Sequence, residues 1–148
     1  MNPDYVDLLR EFIAAEVRFL IVGAYAVALH ARPRATGDLD IWIEPTRENA
    51  TRAWKALAAF GAPLAELSES DLSTPGIVYQ IGVAPRRIDV LTSLTGVEFA
   101  SAWPERASGR MGPLECPFIG RAALIRNKRA LDRPRDRADL EFLGEAAE

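Results

Sequence analysis

The stretch Arg34–Ile43, RATGDLDIWI, sets two carboxylates, Asp38 and Asp40, two positions apart at the head of an apolar run. Leu39, Ile41 and Ile43 alternate with Asp38, Asp40 and Trp42, the period-two pattern of a strand. Both acids then emerge on one face, about 6 to 7 Å apart. Like charges at that spacing repel unless a cation or solvent lies between them. The strand must therefore begin where a cation or water can reach it, which narrows the folds open to the chain.

The surrounding text supplies partners for such a strand. Asn2 and Pro3 make a helix start, and Tyr5, Leu8, Leu9, Phe12 and Ile13 recur at helical spacing, predicting a helix to about Glu16. VRFLIVG predicts a buried strand ended by Gly23, and the Ala-rich AYAVALHA a closely packed helix. After the acid strand, Thr46 caps a helix with Ala50, Ala53, Trp54 and Leu57 inward and Gly61 as its stop. Residues 62–74 read as a surface excursion, and GIVYQIG with RRIDVLT as a hairpin split at Ala84-Pro85. The Pro- and Gly-rich text from Gly96 to Gly120 allows only short, poorly defined elements. From Arg121 the chain reads as two helices broken around Pro134. The order α-β-α-β-α-β-β-α-α predicts a single α/β domain, α+β-like in its mixed sheet, over residues 1–148. Its sheet core would span about 1–95 and a helical pair about 120–145.

Composition removes several classes of function. A net charge of -3 argues against a surface that is wholly a nucleic-acid footprint, while leaving room for a local basic patch. Cys116 and His30 are each the only residue of their type, so an intramolecular disulfide and a Cys- or multi-His zinc site are both excluded. Asp4, Asp7, Glu11 and Glu16 interrupt the first apolar pattern, unlike a signal peptide, and no apolar run approaches the roughly twenty residues of a membrane span. The expected setting is cytoplasmic, with no membrane partner.

A third acid, Asp89, stands between Ile88 and Val90 in the second hairpin strand. Three carboxylates arising from strands make an oxygen cage suited to Mg²⁺, which takes carboxylates together with water and substrate phosphates. Solvated acids on the open side of a sheet are the bland alternative. Upstream, Gly23 ends a strand and opens a helix, where backbone N–H groups and the helix dipole can receive phosphate oxygens. A phosphate seat beside a metal seat suits a nucleoside triphosphate. Arg34 can engage two phosphate oxygens or be an exposed loop cation. Tyr25 lies in the phosphate turn and can hydrogen-bond or stack on a base. Thr36 can order the turn before Asp38. His30 reads as packing or capping, Trp42, Trp54 and Trp103 as core or partly buried aromatics, and Cys116 as an inert small hydrophobe.

VGAYAVALHARPRATGDLDIWI with RRIDVLTS resembles the nucleotidyltransferases of the DNA polymerase beta superfamily, particularly small bacterial proteins related to AbiEii-type abortive-infection toxins. LIRNKRALDRPRDRADLEFL resembles the C-terminal helices of that subgroup. The resemblance implies the nucleotidyltransferase fold, a mixed β-sheet flanked by helices with C-terminal helices. It implies that Gly23 and Ala24 form the phosphate turn, and that Asp38, Asp40 and Asp89 are the catalytic and metal-binding residues for two Mg²⁺ (or Mn²⁺) ions. Asp89 would also help deprotonate the attacking hydroxyl, and Lys128, less firmly Asp136, would join the nucleotide site. The implied reaction moves a nucleoside monophosphate from its triphosphate to an acceptor hydroxyl, with pyrophosphate leaving. Ala24 departs from the pattern, standing where a second Gly or a Ser is usual, which weakens one phosphate contact.

Besides a metal phosphohydrolase, which the lack of histidine ligands disfavours, two readings stay open on these residues. One is a metal-dependent transferase acting on RNA, tRNA or protein, in a toxin–antitoxin or phage-defence pair; the other is a non-catalytic nucleotide- or partner-binding domain with the same fold. Between Arg121 and Asp139 seven cations face three acids, either a solvated helical pair or a seat for an anionic acceptor such as RNA. A domain of this size leaves the acceptor site to be completed by a partner protein or by self-association.

Overall fold

Asn2 accepts a hydrogen bond from the Asp4 amide at 2.9 Å and so opens helix α1, Pro3–Ala14. The computed structural model describes residues 1–31 and 37–145. Tyr5, Leu8, Leu9 and Phe12 form the buried stripe of α1. Strand β1, Phe19–Val22, is buried at all four positions, as a strand covered on both faces must be. Helix α2, Gly23–His30, follows without a linker, and strand β2 is Leu39–Ile43.

Thr46 caps α3, Arg47–Phe60, and Gly61 ends it in the left-handed region at φ 92°. Asn49 on α3 is buried because it is satisfied: it accepts from the Arg18 amide at 2.7 Å and donates to the Arg18 and Glu44 carbonyls. Trp54, expected inward, is only half-buried. The excursion after α3 is less superficial than its composition suggests, since a 3-10 turn at Glu69–Ser73 buries Leu72.

Strands β3, Val78–Ile81, and β4, Ile88–Leu91, form the expected antiparallel hairpin. Residues 96–120 correct the expectation of poorly defined elements. They hold a short helix α4, Phe99–Ala102, and a second hairpin, β5, Ala107–Met111, with β6, Leu114–Phe118. Gly109 reads as a breaker but serves packing: a Cβ there would lie 2.7 Å from the Phe118 ring and 2.9 Å from Leu29. Two helices close the chain, α5, Arg121–Leu131, and α6, Pro134–Phe142, with Pro134 in the first turn of α6.

Among the described residues six strands lie in the order β3-β4-β2-β1-β6-β5. β2 runs parallel to β4 and antiparallel to β1, which in turn runs parallel to β6, so the sheet is mixed. Phe12 of α1 packs edge-on against Phe19 of β1, on the face shared by Ile41 and Ile43. The opposite face carries Asp40 and Trp42. Trp42 does not follow the acids toward solvent; it is buried against Phe99, ring centroids 5.0 Å apart. This face is thus closed by α4 at its Trp42 end and open at its acidic end. Among the described residues no helix is long and apolar enough to cross a membrane.

Candidate functional site

Asp40 has Val22 as its register partner on β1 and Asp89 on β4. Three segments far apart in the chain are therefore laid side by side: the end of β1 with the α2 turn, the start of β2, and the start of β4. Paired positions on neighbouring strands point to the same face, so Asp40 and Asp89 meet. Asp38, just before β2, accepts a hydrogen bond from the Arg87 amide at 2.9 Å and is held toward them. All three acids line one cleft of about 830 Å³, walled by the α2 turn, by β3 and β4, and by α5 and α6.

Gly23 opens α2 with φ 68°, a conformation that disfavours a side chain. A Cβ there would also collide with the Asp40 carboxylate. The glycine is thus required twice, once for the turn and once for the approach of the acid. Val22 precedes it with no side-chain cap, and Gly23 and Ala24 both line the cleft, so the first N–H groups of α2 are left for an anion.

The carboxylates are crowded. Burial, then the charge of Asp89, a hydrogen bond with it, and the charge of Asp38 push the Asp40 carboxyl up to about 7, partly countered by Lys128. The cation that the trio faces is Arg87. Its Nε lies 2.7 Å from Asp89 Oδ1, and its terminal nitrogen donates to Asp89 Oδ2 at 3.2 Å and lies 3.4 Å from Asp38 Oδ2. Among the described residues no three acid, His or Cys side chains already stand in metal-ligating positions. The donor set nonetheless fits a hard divalent cation: three carboxylates, no soft ligand, and on Asp40 a carboxyl pushed up by burial and by its acidic neighbours, which a cation would oppose.

On the opposite wall Lys128 is buried, with its Nζ 3.0 Å from Asp139 Oδ2 and 3.4 Å from Asp136 Oδ1. Asp136 lies beneath the wall, fully buried. Burial acts to raise its carboxyl, but hydrogen bonds from the Arg133 side chain and backbone and the charge of Lys128 bring it below the ordinary range. Asp136 thus braces Lys128, whereas Lys128 and Asp139 line the cleft itself. Tyr25 lies against Tyr5, edge to face at 6.1 Å, and is not among the cleft-lining residues. Arg34 and Thr36 lie outside the described residues.

Sequence reasoning assigned no role to Arg87 or Asp139. Arg87 stands two positions before Asp89, where strand alternation returns a side chain to the same face, so a signal existed. Asp139 is one helical turn beyond Asp136, but only the packing of α6 on α5 brings it to Lys128. His30 ties α2 to the end of β6 by donating from Nε2 to the Ile119 carbonyl at 2.7 Å. Burial pushes the Cys116 thiol up to about 11, which keeps it inert. A shallower depression of about 550 Å³ beside Trp103 and Cys116 carries one acid, Glu115, and offers no clustered charge.

The C-terminal cations are largely engaged by acids: Arg121 and Arg129 with Glu145, Arg126 with Glu105, Arg133 with Asp136, and Arg137 with Asp132. Arg135 lines the cleft with no ion-pair partner among the described residues.

No protein-family model and no curated protein matches this sequence. Solved structures do. The chain is similar to a lincosamide antibiotic adenylyltransferase, LnuA, with lincomycin bound, at a TM-score of 0.61 and 12% identity, covering 97% of this chain and 96% of that one. It is also similar to a Thermotoga maritima protein assigned as a nucleotidyltransferase, at a TM-score of 0.50 and 14% identity, covering 81% of this chain and 80% of that one. The mixed sheet flanked by helices is therefore the nucleotidyltransferase fold.

Proposed function

We propose that this protein is a metal-dependent nucleotidyltransferase that moves a nucleoside monophosphate from a nucleoside triphosphate to an acceptor hydroxyl. The observation that carries the reading is the convergence of Asp38, Asp40 and Asp89 beside the uncapped start of α2 in one cleft. Asp38, Asp40 and Asp89 would hold Mg²⁺ or Mn²⁺. When bound, the ions supply charge stabilisation to the attacking and leaving oxygens. Gly23 and Ala24 present backbone N–H groups to the triphosphate, and Lys128 and Arg135 face it from the other wall. The acceptor oxygen bonds to the α-phosphorus as the bond to the β-phosphate oxygen breaks, and pyrophosphate leaves. Asp89 takes the hydroxyl proton.

The cleft volume falls in the range of small-molecule sites, roughly 300 to 1,000 Å³. The C-terminal cations are mostly neutralised by acids, which favours a small hydroxyl-bearing acceptor or a protein side chain over RNA or tRNA. The antibiotic named for LnuA is an acceptor of the small-molecule kind. A role in a toxin–antitoxin or phage-defence pair rests on the motif resemblance alone, and completion of the site by a partner protein or a second copy rests on the small size of the domain.

Transfer of label from α-labelled nucleoside triphosphates with Mg²⁺ or Mn²⁺, into RNA, protein and a panel of hydroxylated small molecules, tests this reading. Label transfer that survives the Asp38→Ala, Asp40→Ala double substitution would falsify it. Ala24, which brings no hydroxyl to the phosphate turn, favours a second reading, a nucleotide-binding domain without turnover. Metal-dependent triphosphate binding with no transfer to any acceptor would establish that one.

A further inference from the structure

We propose that Arg87 is a tethered cation that occupies the carboxylates until a divalent metal arrives, and is then handed over to the phosphates of the incoming nucleotide. The inference rests on the reading of Asp38, Asp40 and Asp89 as the metal site. It concerns what those acids do in the absence of metal, and what happens to the arginine afterwards.

The geometry is that of a fork. Arg87 meets both oxygens of Asp89, at 2.7 and 3.2 Å, and one oxygen of Asp38, at 3.4 Å. A two-pronged guanidinium–carboxylate pair is among the stronger hydrogen-bonded contacts a protein makes. It engages oxygens of two of the three candidate ligands. A dication entering among Asp38, Asp40 and Asp89 competes for the same oxygens and repels the guanidinium. Both effects act in one direction: the metal weakens the arginine's hold, and the arginine weakens the metal's.

The backbone of Arg87 takes no part in that exchange. Its amide donates to Asp38 Oδ1 at 2.9 Å, and its carbonyl accepts from the Leu39 amide at 3.0 Å. Only the side chain is free to move, and it is 30% exposed on the cleft wall. A guanidinium released there stays in a cleft that also holds the start of α2, where the phosphates are proposed to sit. Phosphate is the anion it can next engage with the same two-pronged geometry. The neighbouring Arg86 is exposed in the hairpin turn and has no ion pair with these three acids, so it serves as a control of equal charge.

The test is binding of Mn²⁺ alone, followed by the electron paramagnetic resonance signal of the free ion. The native chain is compared with Arg87→Met, Arg87→Lys, Arg86→Met and Asp40→Ala. Binding of a non-transferable triphosphate, α,β-methylene-ATP, is then measured at saturating Mn²⁺. The expectation is that Arg87→Met tightens Mn²⁺ roughly tenfold and weakens the triphosphate by a similar factor, as loss of charge-assisted hydrogen bonds implies. Arg87→Lys shifts both in the same directions by less, and Arg86→Met leaves both unchanged. A residue that merely shaped the site would weaken both ligands when replaced. Equal or weaker Mn²⁺ binding by Arg87→Met, with binding still abolished in Asp40→Ala, overturns the role of Arg87 and leaves the acid site standing. Mn²⁺ binding that ignores Asp40 overturns the site and this inference together. Tighter Mn²⁺ with unchanged triphosphate affinity overturns the hand-over.

Discussion

Asp40 of β2 and Asp89 of β4 are register partners in a parallel strand pair, close enough that the charge of Asp89 helps to raise the Asp40 carboxyl. Two acids so placed cannot both ionise cheaply without a cation, and burial adds to the cost. Arg87 answers this in part, by binding Asp89 and Asp38, while the Asp40 carboxyl, pushed up to about 7, keeps its proton in mildly acidic solution and loses it as pH rises through neutrality.

A first prediction concerns pH. The Asp40 carboxyl is raised from 3.8 to about 7, so between those values the folded, metal-free chain holds a proton the unfolded chain has lost. Stability from this group is complete below about pH 4 and disappears as pH rises through 7, an effect of a few kcal/mol at most, at about 1.4 kcal/mol per pH unit. Urea unfolding at pH 5 and pH 8 should show the decline, and Asp40→Asn should flatten it. Saturating Mg²⁺, which requires the ionised acids, should oppose the decline at the upper end.

Gly23→Ala should damage both fold and site. The positive φ costs about 1 kcal/mol for a residue with a side chain, and the added Cβ presses on the Asp40 carboxylate. A lower thermal midpoint together with lost Mn²⁺ affinity is expected. Native metal affinity in the Gly23→Ala chain would show that the close approach of Gly23 and Asp40 is unnecessary.

Ala24→Ser should behave oppositely. Ala24 is half-exposed in the cleft wall, so a hydroxyl adds no clash with the core and supplies a phosphate donor. Triphosphate affinity should rise about threefold to tenfold, the value of one neutral hydrogen bond. Fluorescence titration with a labelled ATP would detect it.

Lys128→Met removes the cation shared by Asp136 and Asp139. Arg133 still holds Asp136, so the loss should sit near the low end for a broken buried pair, about 3 kcal/mol. The midpoint of urea unfolding reads this directly. Lys128→Arg, which keeps the charge, should recover part of it.

Tyr5→Phe tests how the acid loop is held. The Tyr5 hydroxyl donates to the Gly37 carbonyl at 3.0 Å, just before Asp38. Its removal should cost about 1 kcal/mol. It should also speed hydrogen exchange at the Arg87 amide, whose acceptor is the Asp38 carboxylate. Unchanged exchange at Arg87 would mean that Asp38 is positioned without Tyr5.

What the sequence determined by itself was local. The alternation around Asp38 and Asp40, the glycine between β1 and α2, the Thr46 cap with its Gly61 stop, and the β3–β4 hairpin all depend on residues within a few positions of one another. Periodicity and turn chemistry express such choices directly. The β5–β6 hairpin escaped because its glycine and prolines suppress strand propensity. Its place in the sheet comes from β1, and its Gly109 is explained only by Phe118 and Leu29 packing over it. The burial of Trp42 likewise depends on Phe99 from a distant helix.

The candidate site divides in the same way. Its three carboxylates could be named from strand patterns, but their meeting is a matter of register, which pairs Asp40 with Asp89 across β2 and β4. Tertiary structure alone decided that Asp139 joins Lys128, and that Arg87, set on the face of Asp89 by strand alternation, also reaches Asp38. Side-chain charge is written in the sequence, whereas the partner that neutralises it is chosen by packing, because Coulomb energy and desolvation depend on distance and burial.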